Sequence, residues 1–181
     1  MPADAEGAGR PGGDAVAVAM RRMKTPIGEL RVTASEDKIL YVELPGYSSD
    51  PHFDRWVRQR LLRHRDTPAL RDALAQLREY FAGKRRAFDL PLDADGTAFQ
   101  QRVWQAVAAV PFGETTSYGR IALRLGDQQL ARAVGAAVGA NPIPIIIPCH
   151  RVLGADGSLV GYGGGLRRKI WLLRHEGALL A

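Results

Sequence analysis

Apolar residues alternate with polar or small ones in three short runs near the start of the chain. These are Val16, Val18, Met20, then Leu30, Val32, Ala34, then Ile39-Leu40-Tyr41-Val42. Thr25-Pro26-Ile27-Gly28 and Ser35-Glu36-Asp37-Lys38 separate them, so the pattern predicts a small antiparallel meander. The apolar spacing then changes from two to three and four. Thr67 as cap, Pro68 in the first turn, Leu70, Leu74, Leu77 and Phe81 on one face and Gly83 as stop predict a helix. Phe53, Trp56, Val57 and Leu61 predict a shorter one within 50–64. Residues 1–13, rich in Gly, Ala and Pro, read as a disordered leader.

Pro91-Leu92-Asp93-Ala94-Asp95-Gly96 reads as a linker between a sheet-plus-helix module (14–90) and a second, helical module (97–181), so the fold class is α+β. Thr97 with Gln100 forms a capping box, opening a helix with Phe99, Val103, Val107 and Val110 on one face before Pro111. Ser117 caps the next, with Tyr118, Ile121, Ala122 and Leu125 inward and Gly126 at its end. After a four-residue turn, Leu130, Val134, Ala137 and Val138 mark a third. This pair of short helices is a helix-turn-helix pattern. Arg132 lies about 200° from Leu130 around the axis, with Gly135, Ala136 and Gly139 as face-mates. An outward face almost bare of side chains suits close approach of the backbone to a partner, or packing against another helix.

A chain of 181 residues holds one or two small domains, and 46% hydrophobic residues suffice for a core. The net charge of +6 falls entirely in one region: 120–174 carries eight Lys/Arg against two acidic residues, and the remainder balances. That favours a polyanionic partner, although a solvated basic face has the same composition. The single cysteine excludes an intramolecular disulfide and a multi-cysteine zinc site. With no membrane-length run and no secretory pattern, a reducing, cytoplasmic setting is expected.

That cysteine sits in Asn141-Pro142-Ile143-Pro144-Ile145-Ile146-Ile147-Pro148-Cys149-His150-Arg151-Val152. Three prolines rule out a helix while four isoleucines predict burial, so the stretch reads as a rigid, buried holder for a thiol. Cys149 is either a small core residue or a nucleophile. The second needs a base, for which His150 is adjacent, and the base needs an orienting acid, for which Glu176 is the first good candidate downstream. Because neighbouring side chains diverge, a water or a tight turn has to link Cys149 to His150.

The run from Asn141 through Pro148-Cys149-His150-Arg151-Val152, with Gly161-Tyr162-Gly163-Gly164-Gly165-Leu166 and His175-Glu176-Gly177, resembles the signature of the methylated-DNA–protein-cysteine methyltransferases. The resemblance covers about residues 65–177. It implies a ribonuclease H-like first domain, a winged-helix-like second one and double-stranded DNA as partner. It also implies transfer of the alkyl group of a flipped-out O6-alkylguanine, with O4-alkylthymine as a second candidate lesion, to the cysteine. Cys149 resembles the acceptor, His150 the base acting through water, Glu176 the group orienting it, and Asn141 the hinge between recognition helix and active-site segment. Tyr118 resembles the tyrosine that crowds the phosphate and donates to the guanine ring, though it also fits as a core aromatic. Arg132 resembles the finger that fills the vacated stack. Ser117, Ala131, Gly135 and Arg151 fall among implied DNA contacts, and Val152, Tyr162, Gly163 and Gly164 among implied pocket walls.

A polarisable thiolate attacks saturated carbon well and its thioether product cannot revert. The resemblance therefore implies one reaction per molecule, with no cofactor and no metal. The nearly bare face around Arg132 points to reading of DNA shape, through the minor groove, rather than base sequence, and a full set of site residues in each copy makes a monomer the default. Gly163 departs from members with serine there, leaving backbone N–H as the contact to the guanine oxygen and a wider pocket. Two other readings stay open at this point: a helix-turn-helix regulator with a structural or sensing cysteine, and a Cys-His hydrolase.

Overall fold

A computed structural model describes residues 17–46 and 66–179. The expected leader and the helix expected within 50–64 lie outside these residues. Strands β1 (Ala19–Thr25), β2 (Gly28–Ala34) and β3 (Ile39–Glu43) form an antiparallel sheet in the order β1-β2-β3. The meander is as the alternation predicts, and Val18, just before β1, is buried as expected, Val16 lying outside the described residues; within β1, however, the odd positions face inward. Ala19 and Met23 pair with Ala34 and Leu30 and are buried with them, while Met20 is half-buried. The hairpin decides this: Thr25 pairs with Gly28, which fixes the register, and a one-residue slip would exchange the two faces of the strand.

Helix α1 (Pro68–Phe81) covers this sheet, capped by Thr67, whose hydroxyl accepts from the Leu70 N–H. Its buried stripe is Ala69, Leu70, Ala73, Leu74, Leu77 and Tyr80. The expected Phe81 is only half-buried, and Tyr80 takes the inward place. The expected linker is ordered beside β3, with the Ile39 N–H donating to the Pro91 carbonyl (2.8 Å) and the Asp93 N–H to that of Ile39 (2.9 Å).

The second half contains α2 (Ala98–Ala108), α3 (Tyr118–Arg124), α4 (Ala131–Gly139) and α5 (Leu166–His175). The capping box between Thr97 and Gln100 is complete. Val134, Ala137 and Val138 seat α4 against α2 and α3, where Trp104 also donates from Nε1 to the Ala137 carbonyl (2.8 Å). A short parallel pair, β4 (Thr116–Ser117) with β5 (Val152–Leu153), brings the start of α3 beside the segment that follows the cysteine. The two halves share backbone bonding as well, since the Val42 N–H donates to the Pro142 carbonyl (3.0 Å).

Candidate active site

The proline-isoleucine stretch folds on itself and is buried throughout. Asn141 holds it from within: its Nδ2 donates to the Ile147 carbonyl (2.9 Å), and its Oδ1 accepts from the Ile143 N–H (2.9 Å). The Ile147 N–H closes the same loop onto the Ile143 carbonyl at 2.9 Å. Ile145 sits at φ 75°, a strained conformation for a β-branched residue. Such strain persists only where the surroundings over-determine it, and it concentrates at functional sites. The stretch delivers Cys149 at the start of a single 3-10 turn, Cys149–Arg151, with the thiol 9% exposed.

That turn brings two consecutive side chains to one carboxylate. His150 and Arg151 both point inward, and both meet Glu176 at the end of α5. His150 is fully buried, and its Nε2 lies 2.8 Å from Glu176 Oε1. Arg151 donates from Nε to Oε2 (2.8 Å), from Nη2 to Oε1 (3.0 Å) and from Nη1 to the Val110 carbonyl (2.5 Å). Tyr80 reaches across from α1 and donates its hydroxyl to Oε1 (2.6 Å), while the Gly113 N–H approaches Oε2 (3.4 Å).

The electrostatics follow from these contacts. Burial alone would raise the Glu176 pKa, but donors from His150, Arg151 and Tyr80 outweigh it and hold the carboxyl well below the usual range. Glu176 is therefore an anion, which makes His150 Nε2 the donor and leaves the lone pair on Nδ1. Nδ1 has no partner among the described residues. Burial also lowers the His150 pKa against the pull of Glu176, so the ring is neutral and can accept a proton. The Cys149 thiol is pushed up to about 11 by burial, against opposing contributions from Asn141 and Lys169. In the resting protein it is a thiol, and it needs that base.

Lys169 is the unexpected member. It lies fully buried on α5, its Nζ donating to the carbonyls of Val152 (2.6 Å), Val160 (2.9 Å) and Gly161 (3.4 Å). Burial lowers its pKa to about 8, so at neutral pH it is mostly an ammonium that favours the thiolate. Its signal in the sequence was its phase: Lys169, Leu172, Leu173 and Glu176 share the inward stripe of α5.

The thiol opens into a cavity of about 180 Å3. One wall is Tyr118 with Gly135, Val138 and Gly139 of α4; another is the loop Gly161–Gly164; Leu44, just past β3, completes it. A Cβ at 164 would lie 2.5 Å from Leu44 Cδ1 and 3.0 Å from Tyr162 Cε1, so any larger residue there has to displace these side chains. Arg168 ties this loop to the sheet, donating from Nη1 to the Gly164 carbonyl (2.6 Å) and from Nε to that of Ile27 (2.7 Å). The site is thus a buried thiol next to a neutral histidine held by an ionised carboxylate, with a cavity open beside a helix of small outward residues.

Comparison with known proteins agrees with this chemistry. The DNA-binding domain of 6-O-methylguanine DNA methyltransferase matches residues 98–178, and the ribonuclease-like domain of that enzyme matches residues 19–94. The chain belongs to this family. The methylated-DNA–protein-cysteine methyltransferase of Mycobacterium leprae is 45% identical over 156 residues, spanning 86% of this chain and 90% of that protein. The constitutive one of Bacillus subtilis is 45% identical over 154 residues, spanning 84% and 92%. The Mycobacterium tuberculosis O6-methylguanine methyltransferase crystal structure superposes with a TM-score of 0.77 at 44% identity, covering 88% of this chain and 93% of that one. A structure from that organism in complex with DNA gives the same TM-score and identity, covering 88% and 92%.

In this family member the structure brings Cys149, His150, Glu176, Asn141 and Tyr118 together, with Gly135, Tyr162, Gly163 and Gly164 around the cavity. Tyr118 is half-buried with its hydroxyl 3.4 Å from the Val160 carbonyl, so it serves the cavity wall as well as the core. Arg132 is exposed on the outer face of α4, with Ala131 half-buried beside it. Ser117 uses its hydroxyl to accept from the Arg120 N–H, capping α3. Two expectations need correction. Arg151, expected at the DNA surface, is buried and bound to Glu176 and Val110. Val152, expected as a pocket wall, is fully buried in β5 and contributes its carbonyl to Lys169. The 3-10 turn directs Arg151 inward, and pairing of β5 with β4 buries Val152. Tyr80, Leu44, Arg168 and Lys169 were not foreseen as site residues.

Proposed function

We propose that this protein reverses O6-alkylguanine damage in double-stranded DNA by moving the alkyl group irreversibly onto Cys149, once per molecule. The observation that carries this is the buried His150–Glu176 pair (2.8 Å) next in the chain to a thiol that lines a recessed cavity open beside α4. Stacked in a duplex, a guanine cannot bring its O6 substituent to a sulfur in such a cavity, so the base is flipped out. His150 Nδ1, through a water, takes the thiol proton, and Glu176 stabilises the imidazolium. The thiolate sulfur attacks the alkyl carbon; the S–C bond forms as the C–O6 bond breaks. The bonding pair leaves with the purine, which takes a proton from the Tyr118 hydroxyl and is restored as guanine within the DNA; the proton held on His150 returns through solvent to the tyrosine, so both side chains end as they began.

The thioether has no leaving group to regenerate the thiol, and the reaction ends there. Arg132 enters the stack where the base was, while the small residues Gly135, Ala136 and Gly139 let the backbone of α4 lie close to the DNA, in the minor groove. Binding is largely independent of base sequence, because Arg132 is the one long side chain expected on that face. Each chain carries a whole site, so the acting unit is a monomer. Residues 14–90 and 97–181 act as two modules, and the protein works in the cytoplasm, on the nucleoid if the cell is bacterial. Among the described residues, no helix is long and apolar enough to cross a membrane.

The test is intact-protein mass spectrometry after incubation with duplex DNA carrying one O6-methylguanine, with Cys149→Ala as control. One added methyl on Cys149, saturating at one per molecule, supports the proposal. An unchanged mass of folded, DNA-binding protein overturns it and points to a regulator.

A further inference from the structure

Helix α1 presents an apolar stripe to the sheet, Ala69, Leu70, Ala73, Leu74 and Leu77, and then one residue with a polar atom, Tyr80. Its side chain is fully buried, with its ring set edge-on to Phe81, Phe112 and His175 and tilted on Phe88. Packing alone would be served by phenylalanine, since a buried hydroxyl is costly without a partner. This hydroxyl has one, Glu176 Oε1 at 2.6 Å, the oxygen that also faces His150 Nε2 at 2.8 Å. We propose that Tyr80 is a positioning residue for alkyl transfer: through its hydrogen bond to Glu176 it sets the basicity of His150. The inference rests on the function proposed above and extends it to the first half of the chain.

The direction of the effect follows from sharing. Glu176 Oε1 receives the Tyr80 hydroxyl, His150 Nε2 and Arg151 Nη2, and each donor draws on the same anionic charge. The tyrosine keeps its proton, because burial and the adjacent carboxylate raise its pKa far above the ordinary value. Removing it concentrates the charge of Glu176 on His150, which favours the imidazolium and raises the pKa of the ring. Other charged and titratable groups around the pair are Arg151 in the 3-10 turn, Lys169 on α5, and Cys149 and Tyr162 on the cavity side. His175 accompanies Tyr80, with its Nε2 against the Tyr80 carbonyl (2.7 Å). Tyr80→Phe leaves every one of these groups in place, Arg151 sharing the same carboxylate oxygen.

Two readouts on the full-length protein test the proposal: the His150 imidazole titration by NMR, which needs no substrate, and the pH profile of methyl transfer from duplex O6-methylguanine. In Tyr80→Phe both acidic midpoints should move up together, and transfer should slow on the acidic side of the profile in proportion to the larger protonated share of His150. With 3,5-difluorotyrosine at position 80, a stronger donor, both midpoints should move down; this second variant decides the matter should Tyr80→Phe not fold. Midpoints that stay in place in the folded variants, with or without a slower rate, make Tyr80 a packing residue and overturn the proposal. Shifted His150 titrations in a wild-type protein that transfers no methyl would instead sink the repair function and leave the control of His150 by Tyr80 standing.

Discussion

His150 Nε2 and Glu176 Oε1 are 2.8 Å apart in a space closed to solvent, with both side chains fully buried. The pair gives the histidine its tautomer, and burial keeps it neutral although a carboxylate adjoins it. This one contact sets how the protein responds to mutation and to pH.

Glu176→Gln removes the charge and leaves Arg151 buried without its partner. Stability should fall by about 3–5 kcal/mol, the usual cost of breaking a buried ion pair from one side. Transfer should slow by about 10²-fold or more as the general base loses its orientation. Thermal melts and single-turnover transfer rates on the same preparations check both.

His150→Ala should convert a nearly flat pH dependence above neutrality into a steep one. Without the base, reaction needs a thiolate formed by the solvent, and the thiol sits at about 11. The rate of the variant should then rise roughly tenfold per pH unit between about 7 and 9. A shallow profile in the variant would show that another group takes the proton.

The His150 pKa is lowered in the folded protein, so between its folded value and the unfolded value of about 6.5 only the unfolded chain binds the proton. Stability from this group is therefore present above about pH 6.5 and declines as pH falls below it. Glu176 adds a second loss at lower pH: its depressed folded pKa gives stability above about 4.3 that disappears as it protonates. Urea titrations from pH 7.5 to 4 should show the first decline, and His150→Gln should flatten it.

Gly164→Ala should drive its methyl group into Leu44 and cost about 1–3 kcal/mol, the range for overpacking. Leu44→Ala combined with it should recover part of that cost, giving a coupling that a double-mutant cycle measures. Benzyl transfer should fall more than methyl transfer in Gly164→Ala, because the displaced loop narrows the cavity.

Local chemistry made much of this readable in advance. The capping box at Thr97, the cap at Ser117, the inward stripe of α4 and the holder around Cys149 depend on neighbours within a few residues, and the expected elements are there. The resemblance at Cys149, His150 and Glu176 pointed to the acceptor, base and acid that the fold brings together. The phase of β1 was misread because alternation gives two equivalent faces, and only the hairpin register chooses between them.

What the tertiary structure alone decided are the partners that come from far along the chain. Tyr80 and Glu176 are 96 residues apart, and Arg168 and Ile27 are 141 apart. Side-chain periodicity carries no information about which buried stripe will face which, so the part played by Tyr80 and Leu44 was invisible. The inward turn of Arg151 was hidden for the same reason: its charge reads as surface until a buried carboxylate is found to receive it. The sequence by itself determined the reactive group and its local mounting; packing of the two halves decided how that group is tuned.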